Sequence, residues 1–122
     1  AQGPEDINDL IARNVKDIFF GYDDYKLNSE QSGIVTSDAK FLAQHPEVTI
    51  VIEGHCDERG SEEYNLALGD NRAQSVKSEL VKLGVKPDQI KLISYGKEKP
   101  FCSDENEQCW QQNRRAHFAV DR

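Results

Sequence analysis

The sequence predicts a two-layer α/β domain of the α+β type, with two main helices packed on one face of a mixed four-stranded sheet. Three observations predict this fold. The run EVTIVIEGH at residues 47–55 is rich in β-branched residues, an amphipathic helical segment lies on each side of it, and the closing segment alternates apolar and polar residues. A chain of 122 residues has room for one domain with one core.

The N-terminal part is expected to hold a lead-in and the first strand. Residues 1–14 are predicted as a polar lead-in with a short helix, and residues 15–122 as the domain proper. The segment VKDIFFG predicts a strand near residues 15–20. It also continues the helical stripe that begins at Leu10 and Ile11, so helix and strand compete here.

The two main helices are expected on either side of the strand EVTIVIEGH, which should end at Gly54. In the first helix, Ser29 is the expected N-cap, and Val35 and Leu42 share the apolar face. The second helical region covers residues 61–83 and is followed by a glycine suited to a helix C-terminus.

Gly69 is expected to divide this second region. A glycine within a helix costs about 1 kcal/mol relative to alanine, which favours a short helix SEEYNLAL and a new helix starting at Gly69. Arg72 would then lie in the first turn of the new helix. The helix dipole disfavours a cation there, so Arg72 indicates a nearby anion.

The C-terminal third is predicted as the strand KLISYG, a polar loop at residues 97–109 and a last strand with Ala116 and Phe118 on one face. Cys102 and Cys109 are close enough in sequence for a local disulfide. Their spacing alone leaves two free thiols equally open.

The composition limits the classes of partner. The net charge of −7 disfavours nucleic acid and anionic lipid surfaces. No run of 18 apolar residues is present, and the opening AQGPED lacks the pattern of a signal peptide. The chain is therefore expected to be either a cytoplasmic protein or a processed form.

The segment GHCDERG holds the candidate site. His55, Cys56 and Asp57 are metal-ligand types, but they are consecutive, and no other Cys or His follows at ligand spacing. Cys56 lacks a base on its side of the strand, whereas Asp57 and Glu62 could form an acid pair. In a binding clamp, Asp57 and Arg72 would hold the ammonium and the carboxylate of a zwitterion. An internal Asp57–Arg72 salt bridge remains the alternative.

The segment GHCDERGSEEYNLALGDNRAQSV resembles the motif G-H-x-D-x-x-G-x-x-x-Y-N-x-x-L-S-x-x-R-A of OmpA-like peptidoglycan-binding domains. The one departure from the fixed positions is Gly69, where the motif has serine. FFGYDDY (19–25), ISYGKEKP (93–100) and NRRAHFAV (113–120) are similar to further segments of the family, so the likeness covers roughly residues 15–120. It implies the fold of the OmpA C-terminal domain.

The resemblance also implies a function. It suggests a domain without catalytic activity, cofactor or metal that binds meso-diaminopimelate in the peptidoglycan stem peptide. Asp57 would pair with the ammonium of this residue and Arg72 with its carboxylate. Four further positions match pocket positions of the family: Tyr22, Asp23, Arg59 and Leu68. Asp57→Ala or Arg72→Ala is expected to abolish binding while leaving thermal unfolding nearly unchanged.

The closing segments are most similar to the lipoprotein branch of the family. This likeness implies a location on the periplasmic face of the outer membrane, through a lipid anchor absent from this sequence, and partners in the Tol system such as TolB. In that oxidising compartment the Cys102–Cys109 disulfide is favoured. The alternatives are an OmpA-like domain of a porin tail or flagellar stator protein, or a small cell-wall hydrolase.

Overall fold

A computed structural model describes residues 6–121 of the chain. Residues 1–5 of the predicted lead-in lie outside the described residues. The helices are α1 (Ile7–Asn14), α2 (Ser29–Gln44), α3 (Glu62–Lys82) and α4 (Glu107–Asn113), with a 3-10 turn at Pro87–Gln89. The strands are β1 (Ile18–Phe19), β2 (Ile50–His55), β3 (Ile90–Gly96) and β4 (Arg115–Val120).

The four strands form one mixed sheet in the order β1-β4-β2-β3. The β2–β3 pair is parallel, and the β1–β4 and β2–β4 pairs are antiparallel. Apolar side chains of α2 and α3 form one buried core with those of the sheet: Val35, Ala39, Leu42, Ala73, Val76, Leu80, Ile50, Ile52, Ala116 and Phe118. The predicted arrangement of two helices on a mixed four-stranded sheet is confirmed.

Three predicted boundaries differ from the structure. The first strand covers only Ile18–Phe19, because α1 extends to Asn14 and the N–H groups of Val15 and Lys16 bond to Ile11 and Asp38 instead of a neighbouring strand. The strand β2 continues past Gly54 to His55, where its register with β3 shifts. The N-cap of α2 is Asn28, not Ser29, since the Asn28 side chain accepts the Gln31 N–H at 2.8 Å.

The predicted break at Gly69 is wrong, because α3 is one continuous helix. Gly69 lies directly over Gly54 of β2. A Cβ at Gly54 would be 1.8 Å from the Gly69 carbonyl oxygen, and a Cβ at Gly69 would be 2.3 Å from the Ser94 Oγ. The two glycines thus let helix and sheet backbones touch, and this packing offsets the helix cost of glycine. Arg72 consequently lies in the middle of α3.

The polar segment predicted as a loop contains the start of α4. Asn106 caps this helix by accepting the Cys109 N–H at 2.9 Å. The predicted disulfide between Cys102 and Cys109 is confirmed, with a Cα–Cα distance of 5.4 Å. The side chain of Asn113, at the end of α4, accepts the N–H groups of Phe101 and Cys102. These contacts hold α4 firmly to the segment before it.

Candidate ligand-binding site

A small pocket of about 50 Å³ opens between the loop after β1, the loop after β2 and the first half of α3. Its lining residues are Tyr22, Asp23, Cys56, Asp57, Arg59, Gly60, Tyr64, Asn65, Leu68 and Arg72. The six residues predicted from the sequence as ligand-binding are all among them. The structure brings these positions together, and their role in binding stays a prediction.

The loop after β2 is shaped by its contacts with the start of α3. Ser61 caps α3 by accepting the Tyr64 N–H, and the Asn65 amide donates to the Arg59 carbonyl at 2.8 Å. Gly60 has a φ of +95°, which a glycine adopts without strain. The loop therefore turns back on the helix and places Asp57 beside the pocket.

Arg72 forms the floor of the pocket and is 0% exposed. Its guanidinium donates to three backbone carbonyls: Asp24 at 2.8 Å, His55 at 2.9 Å and Gly21 at 3.0 Å. Burial lowers the pKa of Arg72. Within residues 6–121, no carboxylate forms an ion pair with it. The floor is thus a buried cation that the loop after β1 and the end of β2 hold through neutral acceptors.

Asp57 lies at the side of the pocket and is 4% exposed. Its Oδ1 accepts the Arg59 backbone N–H at 3.0 Å and the Arg59 Nε at 3.2 Å. Its Oδ2 accepts Arg59 Nη2 at 2.8 Å and Arg114 Nη1 at 3.4 Å. Burial alone would raise the pKa of Asp57, but the Arg59 hydrogen bonds outweigh it and hold the pKa below its usual value. The carboxylate is ionised and pairs with these arginines, not with Arg72.

Aromatic rings flank the guanidinium of Arg59 at the rim. Its Cζ lies 4.2 Å from the Tyr22 ring centroid and 4.0 Å from that of Trp110. On the other side of the pocket, the Tyr64 hydroxyl donates to the Asp23 carboxylate. The rim of the pocket therefore consists of two exposed tyrosines, Tyr22 and Tyr64, and of Arg59, which is paired with the Asp57 carboxylate.

Arg114, Glu107 and Trp110 belong to this arrangement and were missed in the sequence. Arg114 is buried, donates to the Phe20 carbonyl at 3.0 Å, and contacts both Asp57 and Glu107. One signal could have revealed it. Consecutive residues at the start of a strand point to opposite faces, so one arginine of NRR had to point inward.

The structure gives His55 and Cys56 structural surroundings. The Cys56 thiol donates to the Asn65 carbonyl at 3.2 Å, and burial raises its pKa to about 11. The His55 ring contacts Glu53 at 3.1 Å and packs against the rings of Tyr95 and Phe101. Burial lowers the pKa of His55, which favours its neutral form. Cys56 is therefore a protonated thiol, unsuited to nucleophilic attack.

Among residues 6–121, no cluster of three or more His, Cys, Asp or Glu side chains is placed to hold a metal ion. Across residues 6–121, none of the helices has the length and apolar character needed to cross a bilayer.

Comparison with known proteins places this fold and site in a class. The model of the OmpA family matches residues 19–114, which includes the whole loop after β2 and all of α4. The chain belongs to the OmpA family.

Within the family, the chain is similar to proteins named peptidoglycan-associated lipoprotein. It is 46% identical over 104 residues to that of Rhizobium meliloti, covering 84% of this chain and 59% of the relative. It is 45% identical over 111 residues to that of Pseudomonas aeruginosa, covering 91% of this chain and 66% of the relative. The chain thus spans about three fifths of the length of the first of these relatives.

Solved structures agree with this similarity. The crystal structure of the peptidoglycan-associated lipoprotein from Burkholderia pseudomallei matches with a TM-score of 0.82 at 40% identity, covering 86% of this chain and 89% of that one. The C-terminal domain of Helicobacter pylori MotB matches with a TM-score of 0.80 at 22% identity, covering 88% and 85%. The second likeness concerns the fold alone.

Proposed function

We propose that this domain binds the stem peptide of peptidoglycan through its meso-diaminopimelate residue, without catalysing a reaction. The observation that carries the proposal is that the lining of one pocket holds both an ionised carboxylate, Asp57, and a buried cation, Arg72. A side chain that ends in both an ammonium and a carboxylate complements this pair of charges. The names of the relatives support peptidoglycan as the source of such a ligand.

The carboxylate of the ligand is assigned to Arg72. Three of the five N–H groups of this arginine donate to carbonyls, which leaves two for a ligand. A buried cation without an ionic partner is a favourable position for an anion, because water screens the attraction poorly there. Arg72 would therefore both shape the pocket and attract the carboxylate.

The ammonium of the ligand is assigned to Asp57. The lowered pKa of this carboxyl keeps it anionic at neutral pH. Leu68 is buried in the same pocket and offers an apolar contact for the methylene groups between the two charges. Tyr22, Asp23 and Arg59 line the entrance, where the rest of the stem peptide would pass.

The wider role follows from the same relatives and is part of the proposal. We assign the domain to the periplasmic face of the outer membrane, where a lipid-anchored full-length protein would attach the membrane to the cell wall. Tol-system proteins such as TolB are the expected protein partners. Nucleic acid is not, because a net charge of −7 repels phosphates.

The test is calorimetric titration with the tripeptide L-alanyl-γ-D-glutamyl-meso-diaminopimelate. Asp57→Asn removes a charge-assisted interaction of about 1.5–3 kcal/mol and should weaken binding roughly 10- to 150-fold. Asp88→Asn is the matched control, because Asp88 is exposed on the turn Pro87–Gln89. Equal affinity of the wild type and Asp57→Asn would contradict the proposal.

A second ligand tests the carboxylate end. A tripeptide with L-lysine in place of meso-diaminopimelate keeps the ammonium and lacks the carboxylate, so it should bind at least about tenfold more weakly. Mass spectrometry of both peptides after incubation with the protein should show no new fragment. A fragment that forms with the wild type and not with Asp57→Asn would instead establish a hydrolase.

A further inference from the structure

Trp110 lies against the pocket but touches it only through Arg59. Its ring packs on the Arg59 guanidinium at 4.0 Å, opposite the Tyr22 ring at 4.2 Å. The indole N–H donates to Glu58 at 2.9 Å, which fixes the orientation of the ring. Trp110 is not among the residues that line the pocket, so its influence on a ligand passes through Arg59.

The hydrogen-bonding positions of the Asp57 carboxylate are all taken by arginines. A carboxylate accepts about four hydrogen bonds. Arg59 supplies three of these to Asp57, and Arg114 supplies the fourth. An incoming ammonium must therefore replace hydrogen bonds that the Arg59 side chain makes. Arg59 can yield them, because its side chain is 33% exposed, whereas that of Arg114 is 6% exposed.

We propose that Trp110 is a positioning residue that sets the affinity for cationic ligands by holding Arg59 on Asp57 against an incoming ammonium. This inference rests on the proposed function, since it requires an ammonium that competes with Arg59 for Asp57. Any contact that stabilises the Arg59–Asp57 pair, and is lost when the ligand binds, weakens the apparent affinity. The stack of Arg59 on Trp110 is such a contact.

The position of Trp110 is fixed independently of Arg59. It lies on α4, whose first turn carries the disulfide-bonded Cys109 and whose last residue, Asn113, is bonded to the backbone of Cys102. Arg114, directly after the helix, forms an ion pair with Glu107 in its first turn. When Arg59 leaves Asp57, Trp110 consequently stays in place and the stack is broken.

The decisive variant is Trp110→Ala, titrated with the meso-diaminopimelate tripeptide. Loss of a cation–π contact at a partly exposed site should make binding about threefold to tenfold tighter. Trp110→Phe keeps a ring beside Arg59 and should bind like the wild type. Phe101→Ala is the matched control, because it removes a ring that stacks on Arg115 at 3.7 Å, outside the pocket lining. Unchanged or weaker binding by Trp110→Ala would overturn the inference.

Asp57→Asn separates this result from the proposed function. If Asp57→Asn abolishes binding and Trp110→Ala does not tighten it, the pocket assignment stands and the role of Trp110 is wrong. If Asp57→Asn binds like the wild type, the proposed function fails, and the inference with it.

A second measurement uses the wild-type protein. Trp110 is the single tryptophan of the chain, so its emission reports the stack directly. The Arg59→Ala variant without ligand gives the reference emission of Trp110, because no guanidinium lies beside the ring. Saturation of the wild type with the tripeptide should change its emission to this reference. Emission that does not change at saturation would show that Arg59 stays on Trp110, and would overturn the inference even if Trp110→Ala failed to fold.

Discussion

Arg72 and Arg59 line the same pocket, but they are held there in different ways. Arg72 is 0% exposed and donates to carbonyls of the loop after β1 and of the last residue of β2, which it joins to α3. The Arg59 side chain is 33% exposed and makes its hydrogen bonds within its own loop, to Asp57 two residues earlier. One cation is part of the fold, and the other occupies a position that a ligand could take.

This difference divides the pocket into a floor and a rim. The floor is Arg72, which lies on α3 about one turn after the backbone contact between Gly54 and Gly69. The rim is Arg59 with Tyr22 and Tyr64, and Trp110 supports Arg59 from outside the pocket lining. Substitutions in the floor should lower the stability of the whole domain. Those in the rim should change affinity more than stability, because the Arg59 side chain is 33% exposed and Asp57 keeps its contact with the buried Arg114 when Arg59 is removed.

Arg72→Ala should have the largest effect. It leaves three carbonyl oxygens without their donor and opens a cavity, so the free energy of unfolding should fall by about 4 kcal/mol. Because Arg72 is buried, we expect this large loss of stability in place of the nearly unchanged unfolding expected from the sequence. Arg59→Ala is the rim counterpart and should cost about 1 kcal/mol or less. Urea titration followed by circular dichroism measures both, and equal costs would remove the distinction between floor and rim.

Gly54→Ala tests the backbone contact next to the floor without changing any charge. Its Cβ would meet the Gly69 backbone, which cannot rotate away, so the variant should lose about 3 kcal/mol of stability. Gly33→Ala is the matched control, because no atom lies within 4 Å of a Cβ at this position in α2. It should gain about 0.5–1 kcal/mol. A Gly54→Ala protein as stable as the wild type would contradict this prediction, because it would show that α3 can move away from β2 without loss of folding free energy.

Removal of the disulfide tests the support of the rim. The double variant Cys102→Ser, Cys109→Ser opens a short loop and should lower the free energy of unfolding by about 2.5 kcal/mol. Because α4 then loses one of its attachments, Trp110 should hold Arg59 less firmly, and the tripeptide should bind tighter. Ser103→Ala is the control, because Ser103 is exposed in the same segment and outside the pocket lining. Weaker binding by the double variant would show that α4 supports the ligand itself.

Two buried carboxylates, Asp38 and Asp57, can be compared in the same way as the two arginines. Asp57 is paired with Arg59 and Arg114, whereas Asp38 is buried without an arginine beside it in residues 6–121. Its Oδ1 accepts the Lys16 N–H at 2.8 Å, and within the described residues its Oδ2 has no partner. Burial raises the pKa of Asp38 from 3.8 to about 7. The folded state thus binds an extra proton between these values, and stability falls as pH rises from about 4 to about 7.

Asp38→Asn should remove this pH dependence. The amide has N–H groups without acceptors, so the variant should be less stable than the wild type at pH 4, yet more stable by about 1 kcal/mol at pH 7. Urea midpoints measured from pH 4 to pH 8 would show the two curves crossing. Parallel curves would mean that another group titrates in this range.

The sequence predicted the architecture and the pocket, and it failed where a long-range contact overrides a local rule. The motif correctly predicted that Asp57 and Arg72 line one pocket, because the loop after β2 leads directly into α3 and the motif covers both residues. The break at Gly69 was wrong because its reason, the approach of Gly54, lies fifteen residues earlier on a strand, outside any local pattern. Helix propensity describes each residue type by itself and does not include packing against a distant strand.

The rim shows the same limit. Trp110 and Arg114 reach the pocket from a segment about fifty residues after Asp57, through a short helix in a polar stretch that resembles a loop. The Asn106 cap was the only local sign of α4. Their contacts with Arg59 and Asp57 depend on β4 pairing with β2, which no spacing in the sequence specifies.

The unequal spacing of the three cysteines has a consequence for oxidative maturation. Cys102 and Cys109 are seven residues apart, while Cys56 lies far earlier in the chain. A short loop closes with less loss of entropy than a long one, so an oxidant acting on the unfolded chain should join this near pair first. Folding then buries the Cys56 thiol in its protonated form. Thiol–disulfide exchange needs a thiolate, so the first pairing is preserved and the domain can mature without an isomerase to correct it.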